Sequence, residues 1–427
     1  MTEHLRDFTD EETDDYLRRM GAFGAPPESR WERGYGDEWV MLKADATMPK
    51  IAAKPFVWRD PATIPRRQWV YGHHLIRRFL STTVAPGAVG KSSLTMVEAI
   101  AMATGRALLG THPTSKLRVW IWNGEDPLEE MERRVAAICL HYGIAPAELE
   151  GQLFLNSGRD TEIVIATTTK SGTVIAQPVV DAMKATIREN RIDVVFLDPF
   201  VACHGASEND NGAINAIAKT IARMADEPNT AWDLVHHSRK TGGAEITVED
   251  GRGASALLAA ARSGRVLNSM TKEEAERAGV EKPRGFFRVD NGKANLAPPP
   301  DKSEWFKLQS VSLGNGGDNP FDQHDEVAVV TPWEWPDAMA DVTVSHLRQV
   351  QAAVAAGRWR ENHQAKNWVG NAVAQVMKLD LANKNQKAKV IRLIKTWVSN
   401  GMLVTVESED EKRMRRTFVE VGQLATD

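Results

Sequence analysis

The chain of 427 residues is poor in cysteine, with only Cys139 and Cys203. Their spacing fits no metal-ligand pattern, and one pair cannot staple a small secreted fold, so free thiols in a reducing compartment are expected. The sequence lacks any apolar run near the ~18 residues a membrane-spanning helix needs. Its first residues (Met1 to Asp7) lack the apolar stretch of a signal peptide, so a cytoplasmic protein is expected. It also lacks an excess of one charge: 53 Lys and Arg stand against 57 Asp and Glu, a net charge of −4. A globally basic nucleic-acid binder is thereby excluded, and such contacts must come from local patches or from a pore shared by several subunits. Internal repeats and low-complexity tracts are absent. What remains is a globular composition, 42% hydrophobic and 26% charged, long enough for two or three domains.

The most informative stretch is A-P-G-A-V-G-K-S-S at 85–93. A β-branched run (79–84) precedes it and a helix-forming run (94–104) follows. Strand, glycine loop, Gly-Lys-Ser and helix make the context of a phosphate-binding P-loop. Pro86, Gly87, Ala88, Val89, Gly90, Lys91, Ser92 and Ser93 are the expected ATP-binding residues. Backbone N–H groups would face the phosphates, Lys91 would reach the β and γ oxygens, and Ser92 would hold Mg²⁺. The full pattern has glycine six positions before the lysine; here that residue is Ala85.

Three regions are expected: an acidic arm at 1–55, an α/β core at 56–335 and a small domain at 343–427. In the core, short β-branched strands alternate with helical stretches, which predicts a mostly parallel sheet. The candidate strands are 79–84, 117–122, 193–198, 231–236 and 263–268, with 285–290 and 304–311 extending an edge. Pro298 to Pro300 and the glycine-rich stretch 314–318 read as turns. After Asp341, helical patterns at 344–356, 365–378 and 385–399 precede strand-like runs at 402–407 and 415–421. Three helices and a hairpin predict a winged helix-turn-helix.

Hydrolysis needs more than a P-loop. The run Val194 to Leu197 ends in Asp198, an acid at the sheet's C-terminal edge and a candidate Mg²⁺ ligand. The strand at 117–122 runs into Asn123-Gly-Glu-Asp-Pro127, where Glu125 can activate the attacking water and Glu125 or Asp126 can instead serve as a helix-start acid. The run Val235-His-His-Ser-Arg-Lys240 closes another strand, and His236 and His237 lie where a polar group can sense the γ-phosphate. No third ligand follows at zinc spacing.

In this order the blocks A-P-G-A-V-G-K-S-S, N-G-E-D-P, F-L-D-P-F and V-H-H-S-R-K, with the stretches through Ala261-Arg262-Ser263 and Gly292-Lys293-Ala294, resemble the RepA-type hexameric replicative helicases of plasmids and phages. That family lies within the RecA/DnaB-like ATPases, and the similarity covers roughly 70–300. It implies a RecA-like core, ATP and Mg²⁺, Glu125 as catalytic base, Asp198 as the Walker B acid, and His236 or His237 as γ-phosphate sensor. Arg262 would be an arginine finger reaching the neighbouring subunit's nucleotide, with Arg252 and Lys293 as helpers. It further implies a homo-oligomer, expected as a hexamer, with single-stranded DNA in a channel lined by the loops 204–212 and 239–252. Arg239 and Lys240 are the channel cations.

In the C-terminal region Lys384, Lys387, Lys389, Arg392 and Lys395 give the last helix a basic face, and Lys412, Arg413, Arg415 and Arg416 give a basic wing. Lys387, Arg392, Lys395 and Arg415 are the candidate contacts to duplex DNA, with protein docking the other use of such a module. This tail loosely resembles the extensions of prophage-encoded RepA-like ATPases. A DNA helicase is the expected function. A remodelling or loading ATPase and a nucleotide-gated DNA-binding regulator are the alternatives.

Overall fold

The structure, a computed structural model, describes residues 30–33, 39–42 and 52–425 apart from 171, 240–243, 252–253, 299, 301 and 318–321. The chain divides into two units, 1–66 and 67–427. In the first, Arg30–Arg33 pairs antiparallel with Trp39–Leu42, and Asp60 caps the turn Pro61–Thr63 by accepting from the Ala62 amide at 3.0 Å. Most of the acidic arm lies outside the described residues.

The second unit is built on a mixed nine-stranded sheet. Its strands are β1 (Leu80–Ala85), β2 (Val119–Asn123), β3 (Leu153–Ser157), β4 (Val194–Asp198), β5 (Ala231–His237), β6 (Ser263–Ser269), β7 (Phe286–Ala294), β8 (Glu304–Ser312) and β9 (Glu326–Pro332). The spatial order is β9-β8-β7-β6-β1-β5-β4-β2-β3. From β6 to β3 neighbouring strands run parallel; β7, β8 and β9 add on antiparallel. The sequence suggests β7 and β8 but marks neither β3 nor β9. The central strands are buried throughout β1, β2 and β4, as parallel strands covered on both faces must be.

Helices α1 (Lys91–Thr104) and α2 (Leu128–Tyr142) cover one face, where Val97, Ile100, Met131 and Ile138 join the core. The opposite face carries α3 (Gln177–Asn190), α4 (Asn211–Asp226) and α5 (Ala254–Ala260), through residues such as Met183, Ile217 and Leu257. The antiparallel strands extend the first of these cores: Phe287, Phe306 and Val330 pack into it, and the Tyr142 hydroxyl donates to the Val330 carbonyl at 2.7 Å.

An ionic network lies inside. The Arg265 guanidinium on β6 donates to both Glu98 oxygens on α1 at 2.6 Å, and to the Thr83 hydroxyl on β1 at 2.9 Å. Asp233 on β5 accepts from Thr83 at 2.7 Å and lies 3.2 Å from His74. All these groups are buried. Buried charge is tolerated only when paired and hydrogen-bonded, and here the pairing ties α1 to the centre of the sheet.

Beyond β9, α6 (Lys272–Ala278) having come between β6 and β7, the chain forms α7 (Val344–Ala355), α8 (Val369–Met377) and α9 (Lys384–Ser399). A hairpin of β11 (Leu403–Glu409) and β12 (Arg415–Val421) follows, and β10 (Trp359–Arg360) pairs with β12. Thr343 and Asn383 cap α7 and α9 through their side-chain oxygens, satisfying amides that a helix start leaves open. A separate apolar cluster joins the three helices to the hairpin through Val350, Val373, Leu393, Trp397 and Val419. Trp368 and Trp397 are buried packing residues. Against the core, the left-handed Gly279 (φ +73°) ends α6 so close to α9 that a Cβ there would lie 3.3 Å from Asn385 Cα.

Candidate nucleotide site

Parallel register places the ends of β1, β5, β4 and β2 along one sheet edge, where strand-following loops meet. Ala85 is the last residue of β1 and pairs with His237; its carbonyl accepts from the Ser238 amide at 3.0 Å. Its backbone is that of a strand, so the departure from glycine costs the loop nothing. The positive φ values fall later, at Ala88 (+64°) and Gly90 (+108°). Gly90 stands at the start of α1 with no side chain capping the helix. No atom lies within 4 Å of where a Gly87 Cβ would be, whereas Leu308 on β8 lies 3.3 Å from that point at Gly90. An uncapped helix start above an open, glycine-lined turn is an anion cradle.

Lys91 is buried and its ammonium lies 3.3 Å from Asp198 Oδ1. A buried cation beside an uncapped helix start suits phosphate oxygens, and Ser92 and Asp198 carry the hard oxygen donors that Mg²⁺ takes. The predicted P-loop lysine and Walker B acid thus meet. Among the described residues no group of three or more His, Cys, Asp and Glu forms a metal cage.

The Asn123 carboxamide oxygen accepts from the Glu125 and Asp126 amides at 2.9 and 2.8 Å. Gly124 is required there, since a Cβ would lie 2.5 Å from Ala202 Cβ. The tight turn sends the two acids apart. Asp126 pairs with Arg134 on α2 at 2.8 Å, a helix-start role. Glu125 is half exposed and its Oε1 lies 3.4 Å from His237 Nε2. In space β4 and β5 separate β2 from β1, so Glu125 approaches the loop from across the edge.

The adjacent histidines diverge as strand residues do. His237 faces Glu125, while His236 is buried, with its Nε2 3.8 Å from Glu208 and its ring 6.0 Å from Phe200. Nearby His204 is buried too, and desolvation keeps its pKa below the usual value. The segment after β4 is partly ordered as strand, for His204–Gly205 pairs with Ala166–Thr169, and Asp210 caps α4.

Arg262 lies elsewhere. It is exposed just before β6, and its amide donates to the Leu80 carbonyl at 2.8 Å, at the opposite end of β1 from the P-loop. Lys293 is its neighbour; burial and the Arg262 charge hold the lysine's pKa below the usual value, and its ammonium donates to the Leu258 carbonyl. Arg239 is exposed after β5, and its amide donates to the Asp250 carbonyl at 2.8 Å. Lys240 and Arg252 lie outside the described residues. Lys387, Arg392 and Lys395 line a groove against α6, while Arg415 is exposed on β12. Both cysteines are free, and desolvation pushes the Cys139 and Cys203 thiols up, away from reactive thiolates. Cys203 is buried and Cys139 only half-buried.

Fold and edge together are those of a P-loop ATPase domain. Residues 47–243 match the family model described as an AAA domain. The protein is therefore a P-loop ATPase, a class that hydrolyses ATP with Mg²⁺. Among solved structures, the chain is similar to that described as the crystal structure of the RadB recombinase, at 15% identity and a TM-score of 0.37, over 55% of this chain and 88% of the other. Among the described residues no helix is long and apolar enough to cross a membrane.

The sequence misses the Asn123 carboxamide that splits Glu125 from Asp126, and the ionic network behind α1. The only available signals were an Asn at a strand end and lone charges within apolar runs.

Proposed function

We propose that the protein is a ring-forming DNA helicase of a plasmid, phage or other mobile element, hydrolysing ATP between subunits while it moves along one strand. One observation carries the reading. Lys91, Asp198, Glu125 and His237 converge at one sheet edge, whereas exposed Arg262 lies at the other end of β1. Six residues of strand span about 17 Å from first to last Cα, so Arg262 does not serve its own chain's nucleotide. Beside it Lys293 adds a second cation, a pairing suited to another subunit's phosphates.

In this mechanism Lys91 and the α1 amides bind the phosphates; Ser92 and Asp198 would hold Mg²⁺, which would supply positive charge against the phosphate oxygens. Glu125 takes the proton of the attacking water. His237, in contact with Glu125, senses the γ-phosphate and relays its presence to the loop that begins at Arg239. Arg262 stabilises transition-state charge in trans. The domain limits at 56–335 and 343–427, the latter as a winged helix, belong to the same proposal.

The test is complementation. Arg262→Ala should bind ATP yet lose turnover by about 10³-fold or more, and Lys91→Ala should be inactive. Mixing the two restores turnover, because some interfaces then pair an intact loop with an intact arginine. Normal turnover by Arg262→Ala alone sinks the finger. On forked DNA with a single tail of either polarity, ATP-dependent displacement supports the helicase; DNA-stimulated turnover without displacement makes the protein a remodelling or loading ATPase.

A further inference from the structure

Away from the nucleotide edge, a groove of ≈ 870 Å³ runs between α6 of the core and α9 of the C-terminal region. Helix α9 lines it with Lys384, Lys387, Arg392 and Lys395, and α6 adds Lys272 and Arg277. The facing acids are Glu273, Glu276 and Glu281, so cations prevail. Trp335 also lines it, half-buried, with the Arg277 guanidinium 5.4 Å from its ring centre. Trp305 and Trp333 fix that ring in place at centroid distances of 5.4 and 5.6 Å.

Duplex DNA does not suit this surface. A recognition helix reads base edges by pushing its N-terminal residues into the major groove. Here that end of α9 abuts Gly279, within 3.3 Å of where a Cβ there would lie. A single strand asks less: a line of cations for phosphates and a rigid aromatic face for a base. Both are present, and a base on Trp335 would join a stack that Arg277 already begins.

We propose that the α6–α9 groove binds single-stranded DNA, with phosphates on Lys384, Lys387 and Lys395 and a base stacked on Trp335. The proposal rests on the reading of the protein as an ATPase that acts on DNA, and adds a contact surface outside any central channel.

The test is fluorescence anisotropy of labelled oligo-dT with the full chain across a salt series, beside a duplex of equal length. Lys387→Gln and Lys395→Gln should each reduce the slope of log K against log salt by about 0.7. Trp335→Ala should weaken oligo-dT binding about tenfold, and Trp335→Phe should recover most of the loss. Should Trp335→Ala lower the melting temperature, the two lysine variants carry the test. Unchanged affinity and slope in both lysine variants overturn the proposal. So does a larger loss for the duplex than for the single strand. A changed oligomer mass with unaltered DNA affinity also overturns it, and would make the groove an interface between copies. Failure of the helicase reading is distinguishable: strand binding that depends on the groove, without displacement on forks, leaves the groove standing. Displacement by lysine variants that bind DNA normally does the reverse.

Discussion

Glu125 and Asp126 are adjacent and chemically alike, yet the turn at Asn123 gives them different partners. Asp126 is tied to Arg134 at the start of α2, and Glu125 meets His237 at the nucleotide edge. Glu125→Gln should lower turnover by about 10²- to 10⁴-fold while ATP still binds. Asp126→Asn should keep turnover within a few-fold and cost about 0.5–1 kcal/mol of stability, the range of a partly exposed ion pair. Steady-state ATPase assays and melting curves on the two variants check this, and the opposite pattern would reverse the assignment. The sequence offered Glu125 for the water, either acid for the helix start, and both histidines as sensor candidates. Alternation along β5 sends His236 and His237 to opposite sides, but which side faces the loop depends on strands far away in the chain.

At the scale of elements, the motifs were legible because each closes a strand, and parallel strands bring their ends to a common edge. The three C-terminal helices were legible from their apolar spacing, and Thr343 and Asn383 stand where caps belong. Strands β3 and β9 were not. Leu153–Ser157 is a short edge run that periodicity cannot assign, and Glu326–Pro332 follows a glycine-rich stretch that reads as a turn. Its strand character comes from pairing with β8 and packing on α1 and α2. The Arg265–Glu98 pair was equally hidden, since its members lie 167 residues apart. Removing one partner strands a buried charge, so Arg265→Met should destabilise the protein by about 3–5 kcal/mol. The double variant with Glu98→Met should recover much of that. Denaturant unfolding of the two variants is the measure, and equal losses would remove the pair from the account of stability.

For the whole molecule, acid sensitivity follows from buried imidazoles. Burial, and then the Arg265 charge, lower the His74 pKa; burial lowers that of His204. A histidine with a depressed folded pKa takes up its proton more readily when unfolded. Its contribution is complete above the unfolded value of about 6.5 and is lost as pH falls below it. Each such histidine costs up to about 1.4 kcal/mol per pH unit in that window. The lowered Asp233 pKa matters only in the carboxylate range, well below. Melting temperature should drop between pH 7.5 and 5.5, less steeply in His74→Asn; a flat profile for the wild type would count against this origin.

Strand β8 acts as a connecting rod across the molecule. Leu308 presses toward Gly90 of the phosphate loop, and Trp305 belongs to the tryptophan trio behind Trp335. The two are three residues apart, about 10 Å along the strand, on opposite faces. Pairing with β7 and β9 on either side leaves the rod little freedom to bend. One piece of backbone thus approaches both the glycine loop and the tryptophans, which makes the indoles a natural optical gauge of that loop.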